Sequence, residues 1–287
     1  MYSVGLCAQL ACVWETTARN PGNAHRFYDF EDASYVDFLI SAAAIAPILE
    51  TASTHSVGET VLDGVKATRA LVSCNTNLGI LLLLAPLAAV PREQSLADGL
   101  SGVMETLTLK DAVAVYEAIR LAAPAGLGHV AQQDIRDEPT VDLRQAMALA
   151  ADRDIVARQY INGFHDLFHV ALPFLEEGLA KAPSFEDVLL YCHVALLAAY
   201  PDSLIARKCG LAEAEQASRR AQDLLSQINR DLTFPKAALA KFDIWLRSPG
   251  RARNPGTTSD LVTACLFVGL RERIIQMPLA LPWSHHE

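Results

Sequence analysis

A short polar loop at residues 19–27 carries side chains suited to bind an anion. It contains a Pro-Gly pair and the polar residues Asn23, His25 and Arg26. Amide and guanidinium groups donate hydrogen bonds to phosphate or carboxylate oxygens, and bonds from charged donors are the stronger ones. The loop therefore predicts an anion site to which His25 and Arg26 add positive charge. A polar turn between two helices is the alternative interpretation.

Two further loops place small polar residues directly before an apolar segment. The second loop offers Asn75, Thr76 and Gly79, and the third offers Asn254, Gly256, Thr257, Thr258 and Asp260. If each apolar segment is a helix, its first N–H groups and the positive end of its dipole face any anion bound there. The third loop lacks the Gly-Lys-Ser/Thr ending of a Walker A loop. Ordinary helix capping is the competing interpretation for both loops.

Four aspartates are candidates for acid–base chemistry or metal binding. Asp202 and Asp260 are expected to hold Mg²⁺ through the phosphates of a bound nucleotide, or to position ribose hydroxyls. Asp134 and Asp166 are candidates for the base that deprotonates an attacking hydroxyl, and the residues alone do not choose between them. Solvated surface acids are the alternative interpretation for each.

His165 and His169 are four positions apart, which puts both rings on one face of a helix. Paired histidines at this spacing bind zinc in H-E-x-x-H peptidases. Asp166 stands where the glutamate would be, and no third ligand follows at a recognisable spacing. A metal-dependent hydrolase is therefore an alternative function, and hydrogen-bonded histidines at the edge of a core are the simpler interpretation.

The composition excludes several classes of protein. Of the 287 residues, 51% are hydrophobic and 20% are charged, which excludes an intrinsically disordered chain. The 24 Lys and Arg against 33 Asp and Glu give a formal net charge of −9, which argues against a nucleic-acid partner. The apolar run from Leu78 to Val90 is too short to span a bilayer. Six cysteines without a C-x-x-C pair indicate reduced thiols and a cytoplasmic location.

Helical periodicity dominates the chain, and strand-like alternation is scarce. Ser34, Thr108 or Asp111, and Ser184 are possible first caps of helices. Residues 142–181 are expected to form a long and interrupted helical stretch. We predict one all-α domain over residues 1–277, a helical bundle whose pocket is formed by loops at helix ends, and a loosely attached tail over residues 278–287.

The order of these motifs resembles the triphosphoribosyl-dephospho-CoA synthase family. The resemblance covers about residues 8–270. The matching segments are Pro21-Gly22-Asn23-Ala24-His25-Arg26, Asp32-Ala33-Ser34, Asn75-Thr76-Asn77-Leu78-Gly79, Gly163-Phe164, Leu172-Pro173, Asp202-Ser203-Leu204 with Arg207, and Asn254-Pro255-Gly256-Thr257-Thr258-Ser259-Asp260.

The resemblance implies an all-α transferase that binds ATP with Mg²⁺. In this family, adenine is displaced from the ribose of ATP, and that carbon is joined to a ribose hydroxyl of dephospho-CoA. The expected partners are therefore small molecules, with neither nucleic acid nor membrane involved, and a homodimer is left open. A non-catalytic helical regulator, which would show a large exposed apolar patch, is a further alternative.

One departure from the family pattern bears on the substrate. The family's His-Lys pair is replaced here by Asn77 and Leu78. A cation that should face the triphosphate is therefore missing, unless Arg207 or Lys208 reaches the same space. The alternative is a divergent member that acts on another phosphorylated substrate in the biosynthesis of a one-carbon coenzyme of the methanopterin or methanofuran type.

Overall fold

The computed structural model describes residues 2–124, 133–248 and 250–284. Within these residues the fold is all-α, as predicted, without a β-strand. The helices are α1 Val4–Thr17, α2 Tyr35–Glu50, α3 Val57–Arg69, α4 Leu78–Ala89, α5 Leu96–Glu105, α6 Leu109–Ala122, α7 Leu143–Ala148, α8 Ile155–Asn162, α9 Leu172–Lys181, α10 Phe185–Ala199, α11 Ser203–Cys209, α12 Leu211–Leu225, α13 Lys236–Arg247 and α14 Gly256–Arg271.

Short polar residues begin several helices at the predicted places. Ser34 and Asp37 form a reciprocal capping box before α2, and Thr108 and Asp111 form another before α6. Ser184 accepts a hydrogen bond from the backbone N–H of Asp187 before α10. The stretch over residues 142–181 is interrupted, as expected, and contains α7, α8, a π-helical turn at Leu167–Ala171 and α9.

Helices α4 and α14 lie at the centre of the fold. Ten residues of α4 and thirteen of α14 are buried, and the two helices contact each other. Burial of apolar side chains is the main term that stabilises such an arrangement. A second apolar cluster joins α10 to α12 and α13. Because both central helices begin on the same side of the fold, the loops that precede them are brought together.

The C-terminal segment docks onto the fold. The carbonyls of Pro282 and Trp283 accept hydrogen bonds of 2.8 Å from the backbone N–H groups of Phe185 and Glu186. The Trp283 ring also lies 5.9 Å from the ring of Phe185. The expectation of a loosely attached tail is therefore wrong for residues 278–284, because backbone bonds and aromatic packing fix them. The domain division itself stays a prediction.

In the described part of the chain, no single helix is long and apolar enough to cross a membrane. One bent pair, α10 with α11, reaches the required length and composition only when the two are taken together. All six cysteines are free thiols, four of them buried, with Cys74 partly exposed and Cys209 exposed.

We expect Gly58→Ala to destabilise the protein. A Cβ at this position of α3 would lie 2.5 Å from the Cα of Asp111 and 2.6 Å from its carbonyl oxygen, and backbone cannot move aside cheaply. Overpacking of this kind costs about 1–3 kcal/mol in the free energy of unfolding. Gly102→Ala is the matched control, because nothing lies within 4 Å of its Cβ. Urea unfolding of both variants measures the difference, and equal stability would contradict the packing argument.

Candidate functional site

A cavity of about 710 Å³ opens where the loops that precede α4 and α14 meet the loop after α1. Its wall contains nine of the predicted site residues: Asn23, Asn75, Thr76, Gly79, Arg207, Asn254, Gly256, Thr257 and Asp260. Segments from the two ends of the chain and from its middle therefore form one site, although they are far apart in the sequence.

Three helices begin at the cavity wall. The first turn of α4 contributes Leu78 and Gly79, that of α8 contributes Val156 and Ala157, and that of α14 contributes Gly256 and Thr257. The first N–H groups of a helix lack partners within the helix, and its dipole is positive at this end. The first N–H groups of α8 are already bonded to Ser203 and to the carboxylate of Asp154, so it is the ends of α4 and α14 that favour an anionic ligand.

Four cations also line the cavity, Arg69, Arg207, Lys208 and Arg251, together with four acids, Glu15, Asp32, Asp154 and Asp260. Arg207 forms a 2.5 Å ion pair with Asp154, and Arg251 pairs with Asp32. Lys208 donates to the carbonyl of Arg251, and burial lowers the pKa of its amine. Sequence reasoning missed Arg69, the last residue of α3, Asp154, the N-cap of α8, and Arg251, in the loop before α14.

Asp260 lies against the first turn of α4. A Cβ on Gly79 would come within 2.0 Å of Oδ2 of Asp260, so only glycine allows this approach. Burial, followed by the neighbouring carboxylates of Asp202 and Glu15, raises the pKa of Asp260 well above its ordinary value. The cavity thus holds a carboxyl group that favours its protonated form.

A chain of hydrogen bonds joins the loop after α1 to the loop before α14. Asn254 donates from Nδ2 to Oδ1 of Asn23 over 2.5 Å, and Asn23 donates from its own Nδ2 to Oγ of Ser259. The Ser259 hydroxyl in turn bonds to the carboxylate of Glu15. The asparagines of two separate motifs therefore organise a single network that ends on an acid.

Glu15 is the most informative residue that the sequence analysis missed. It lines the cavity from the last turn of α1, where only 8% of its surface is exposed. Burial raises the pKa of this carboxyl to about 7, against the lowering effect of hydrogen bonds from Ser259 and Asn20. A usable signal was present, because Glu15 is the first charged residue after fourteen uncharged ones.

His25 and Arg26 do not lie among the described residues of the cavity wall. Burial and the nearby Arg247 lower the pKa of His25 to about 4, so the ring is neutral at physiological pH. Arg26 forms a 3.0 Å ion pair with the buried Glu186 and donates to the carbonyl of Thr17. The prediction that these two residues add positive charge to the site is therefore not supported.

Asp202 and Thr258 are also behind the wall, where they hold the site together. Oδ1 of Asp202 accepts bonds from the backbone N–H groups of Leu204 and Ile205, and so caps α11. Its Oδ2 accepts 2.8 Å bonds from the backbone N–H and the hydroxyl of Thr258. Both oxygens are occupied and the residue is 2% exposed. These contacts do not fit the expected role of Asp202 as a magnesium ligand.

The two predicted bases lie away from the cavity. Asp134 pairs with Arg136 over 2.6 Å. Asp166 accepts hydrogen bonds from Arg158, Gln159, Asn162 and Tyr200, and so ties α8 to the end of α10. Neither carboxylate is among the lining residues, so both fit a structural role better than proton transfer at this site. Part of the loop that carries Asp134, residues 125–132, lies outside the described residues.

The two histidines of the metal-hydrolase alternative do share a face. The centroids of His165 and His169 are 4.8 Å apart, in and beside the π-helical turn, and both residues are exposed. Among the described residues, no group of three or more His, Cys, Asp or Glu side chains could hold a metal ion. The structure does not support the metal-hydrolase alternative, because a zinc site needs at least three protein ligands.

Comparisons with known proteins agree with this geometry. The chain matches the model of the ATP:dephospho-CoA triphosphoribosyl transferase family over residues 1–278. A solved structure from Archaeoglobus fulgidus, provisionally assigned as a triphosphoribosyl-dephospho-CoA synthase, is similar at 25% identity and a TM-score of 0.62. The match covers 82% of this chain and 98% of the other. No curated protein matches the chain. The chain belongs to the ATP:dephospho-CoA triphosphoribosyl transferase family and is an enzyme of the transferase class.

Proposed function

We propose that this enzyme transfers the triphosphoribosyl group of ATP to a ribose hydroxyl of dephospho-CoA and releases adenine. The observation that carries the proposal is a cavity whose wall contains the N-termini of α4 and α14, four cations, and the carboxyl groups of Glu15 and Asp260. The helix N-termini and the cations suit a triphosphate, and the carboxyl groups suit chemistry at the adjoining sugar.

The polar part of the wall would bind the triphosphate. The hydroxyl groups of Thr76 and Thr257 line the same cavity as Arg207 and Lys208 and can donate to phosphate oxygens. Asp260 would lie near the ribose, where a carboxyl group can contact the hydroxyls and interact with the positive charge that develops on the ring as the glycosidic bond breaks. Asn75 and Asn254 complete this polar wall.

The apolar part of the wall would bind uncharged portions of the substrates. Leu82, Ile119, Met147 and Val156 line the cavity between α4, α6, α7 and α8. A flat adenine ring or the pantetheine chain of dephospho-CoA gains free energy when it leaves water for such a surface. The two kinds of wall therefore match molecules that join a polyphosphate to a less polar group.

Magnesium enters this proposal as a companion of ATP, held by phosphate oxygens and water. Asp202 does not fit as its ligand, since both of its oxygens accept hydrogen bonds from protein groups. Asp260 reaches the cavity, and burial raises the pKa of its carboxyl group, which disfavours the ionised form that binds a hard cation. No protein ligand is therefore assigned to the metal.

Leu78 bears on the choice of phosphorylated substrate. Its apolar side chain lines the cavity at the first turn of α4, while Asn77 donates a 2.8 Å hydrogen bond to Thr68 beneath the wall. An apolar residue at this position favours a ligand with less phosphate charge there, which supports a divergent substrate as the second candidate. The proposal also includes a cytoplasmic location, where ATP is supplied, and leaves a homodimer as a prediction.

We expect Lys208→Ala to weaken ATP binding by about 10- to 100-fold, because a hydrogen bond to a charged group contributes about 1.5–3 kcal/mol. AMP binding should change far less, because the missing amine is assigned to the polyphosphate. Titration calorimetry in the presence of Mg²⁺ measures both. Lys241→Ala, an exposed lysine on α13, is the control. Equal losses for ATP and AMP would remove Lys208 from the phosphate site.

For the second candidate, a divergent substrate with less phosphate charge, we expect Leu78→Lys to tighten ATP binding several-fold and to slow the native reaction. The new ammonium would face the triphosphate, but would be buried without a partner when a less charged substrate is bound. Leu149→Lys adds the same charge at an exposed position next to the cavity-lining Ala150, and serves as the control. Unchanged ATP affinity would show that another cation already occupies this space.

A further inference from the structure

We propose that Glu15 is the catalytic base of the transferase, the group that takes the proton from the attacking ribose hydroxyl of the acceptor. This inference rests on the proposed function, because it assigns a residue to that reaction. Asp134 and Asp166, the two bases that the sequence suggested, do not reach the cavity, whereas Glu15 forms part of its wall.

The hydrogen bonds between side chains around Glu15 are donated towards its carboxylate. Oγ of Ser259 accepts from Nδ2 of Asn23, whose Oδ1 accepts from Asn254, so the proton of the serine hydroxyl remains available for the carboxylate of Glu15. Nδ2 of Asn20 donates to Oε1 of Glu15 over 3.0 Å and to the backbone carbonyl of the same residue over 3.1 Å. These donors orient the carboxylate without supplying a cation.

The lack of an ion pair distinguishes Glu15 from Asp154 and Asp32, two other acids of the cavity. Asp154 pairs with Arg207, and Asp32 pairs with Arg251. Among the described residues, no cation forms such a pair with Glu15, and its polar partners are Asn20 and Ser259. A carboxylate held only by neutral donors in a buried setting accepts a proton more readily than one in an ion pair.

Few titratable groups face Glu15. Asp260 approaches it from α14, and Cys12 lies nearby on α1 itself. Arg207 and Asp154, from α11 and the start of α8, act electrostatically on Asp260. With a pKa of about 7, Glu15 is ionised on the alkaline side of neutrality. Burial, followed by the negative charges of Asp202 and of Glu15 itself, raises the pKa of Asp260 well above its ordinary value and so favours its protonated form. Two carboxyl groups of one cavity are thus suited to opposite roles.

The proposed step balances. The O–H bond of the acceptor breaks and its proton moves to Glu15, while the oxygen forms a bond to C1′ of the ATP ribose. The bond from C1′ to the adenine nitrogen breaks, its electron pair remains on adenine, and Asp260 donates a proton to the departing ring. Proton exchange through water from Glu15 back to Asp260 restores both groups.

Glu15→Gln tests the assignment. The amide cannot accept the proton, so we expect the turnover number for adenine release to fall about 10²- to 10⁴-fold, with ATP affinity within threefold of the native value. Glu31→Gln, the same change at an exposed position outside the cavity wall, should leave both unchanged. Circular dichroism and thermal unfolding establish that the variants are folded. Turnover of Glu15→Gln within tenfold of the native value would overturn the assignment.

Ser259→Ala gives a second test that does not depend on the fold of the first variant. The Ser259 hydrogen bond lowers the pKa of Glu15, so its loss should raise that pKa and move the acidic limb of the rate–pH profile to higher pH. An unmoved limb would contradict the assignment. If the native enzyme itself releases no adenine from ATP with dephospho-CoA, the proposed function fails. If the native enzyme is active and Glu15→Gln retains that activity, only the role of Glu15 is overturned and the proposed function stands.

Discussion

The arrangement of the site depends on the hydrogen bond between the side-chain amides of Asn23 and Asn254. These residues are 231 positions apart, and both are almost fully buried. A buried amide that lacks a partner is costly, so each asparagine needs the other, and the two loops are held together. Asn254 also donates to the carbonyl of Gly22, which gives this junction a backbone contact as well.

Helix α14 connects this junction to the rest of the cavity wall. Its first turn follows Asn254 directly and carries Ser259 and Asp260, one bonded to Asn23 and the other packed against Gly79 of α4. Because α4 and α14 are also among the most buried helices of the fold, the core fixes the distance between their N-termini. The same apolar packing that stabilises the protein therefore sets the width of the anion site.

The electrostatics of the cavity combine attraction of an anion with control of protons. Arg207 and Arg251 each pair with an aspartate, which keeps them from being isolated charges in a half-buried setting before a ligand is bound. Glu15 and Asp260 have no such pairing among the described residues, and burial raises the pKa of both. The ion pairs thus neutralise one part of the wall, while Glu15 and Asp260 at another part can still accept and donate protons.

The sequence by itself determined the helical class, the main caps and the loops that form the cavity. Ser34, Thr108 and Ser184 cap helices through neighbours within three residues, and helical periodicity is likewise local. Both features can therefore be predicted from a single segment of the chain. The order of the motifs is also visible along the chain, and it indicated the family.

Only the tertiary structure decided which polar residues reach the cavity. Asp202 and Arg26 have suitable chemistry and lie in the right motifs, but Thr258 and Glu186 occupy their functional groups. Glu15 was passed over because its value as a base arises from burial and from Asn20 and Ser259. The pKa of a carboxyl group depends on what surrounds it in space, and that surrounding is set by long-range packing.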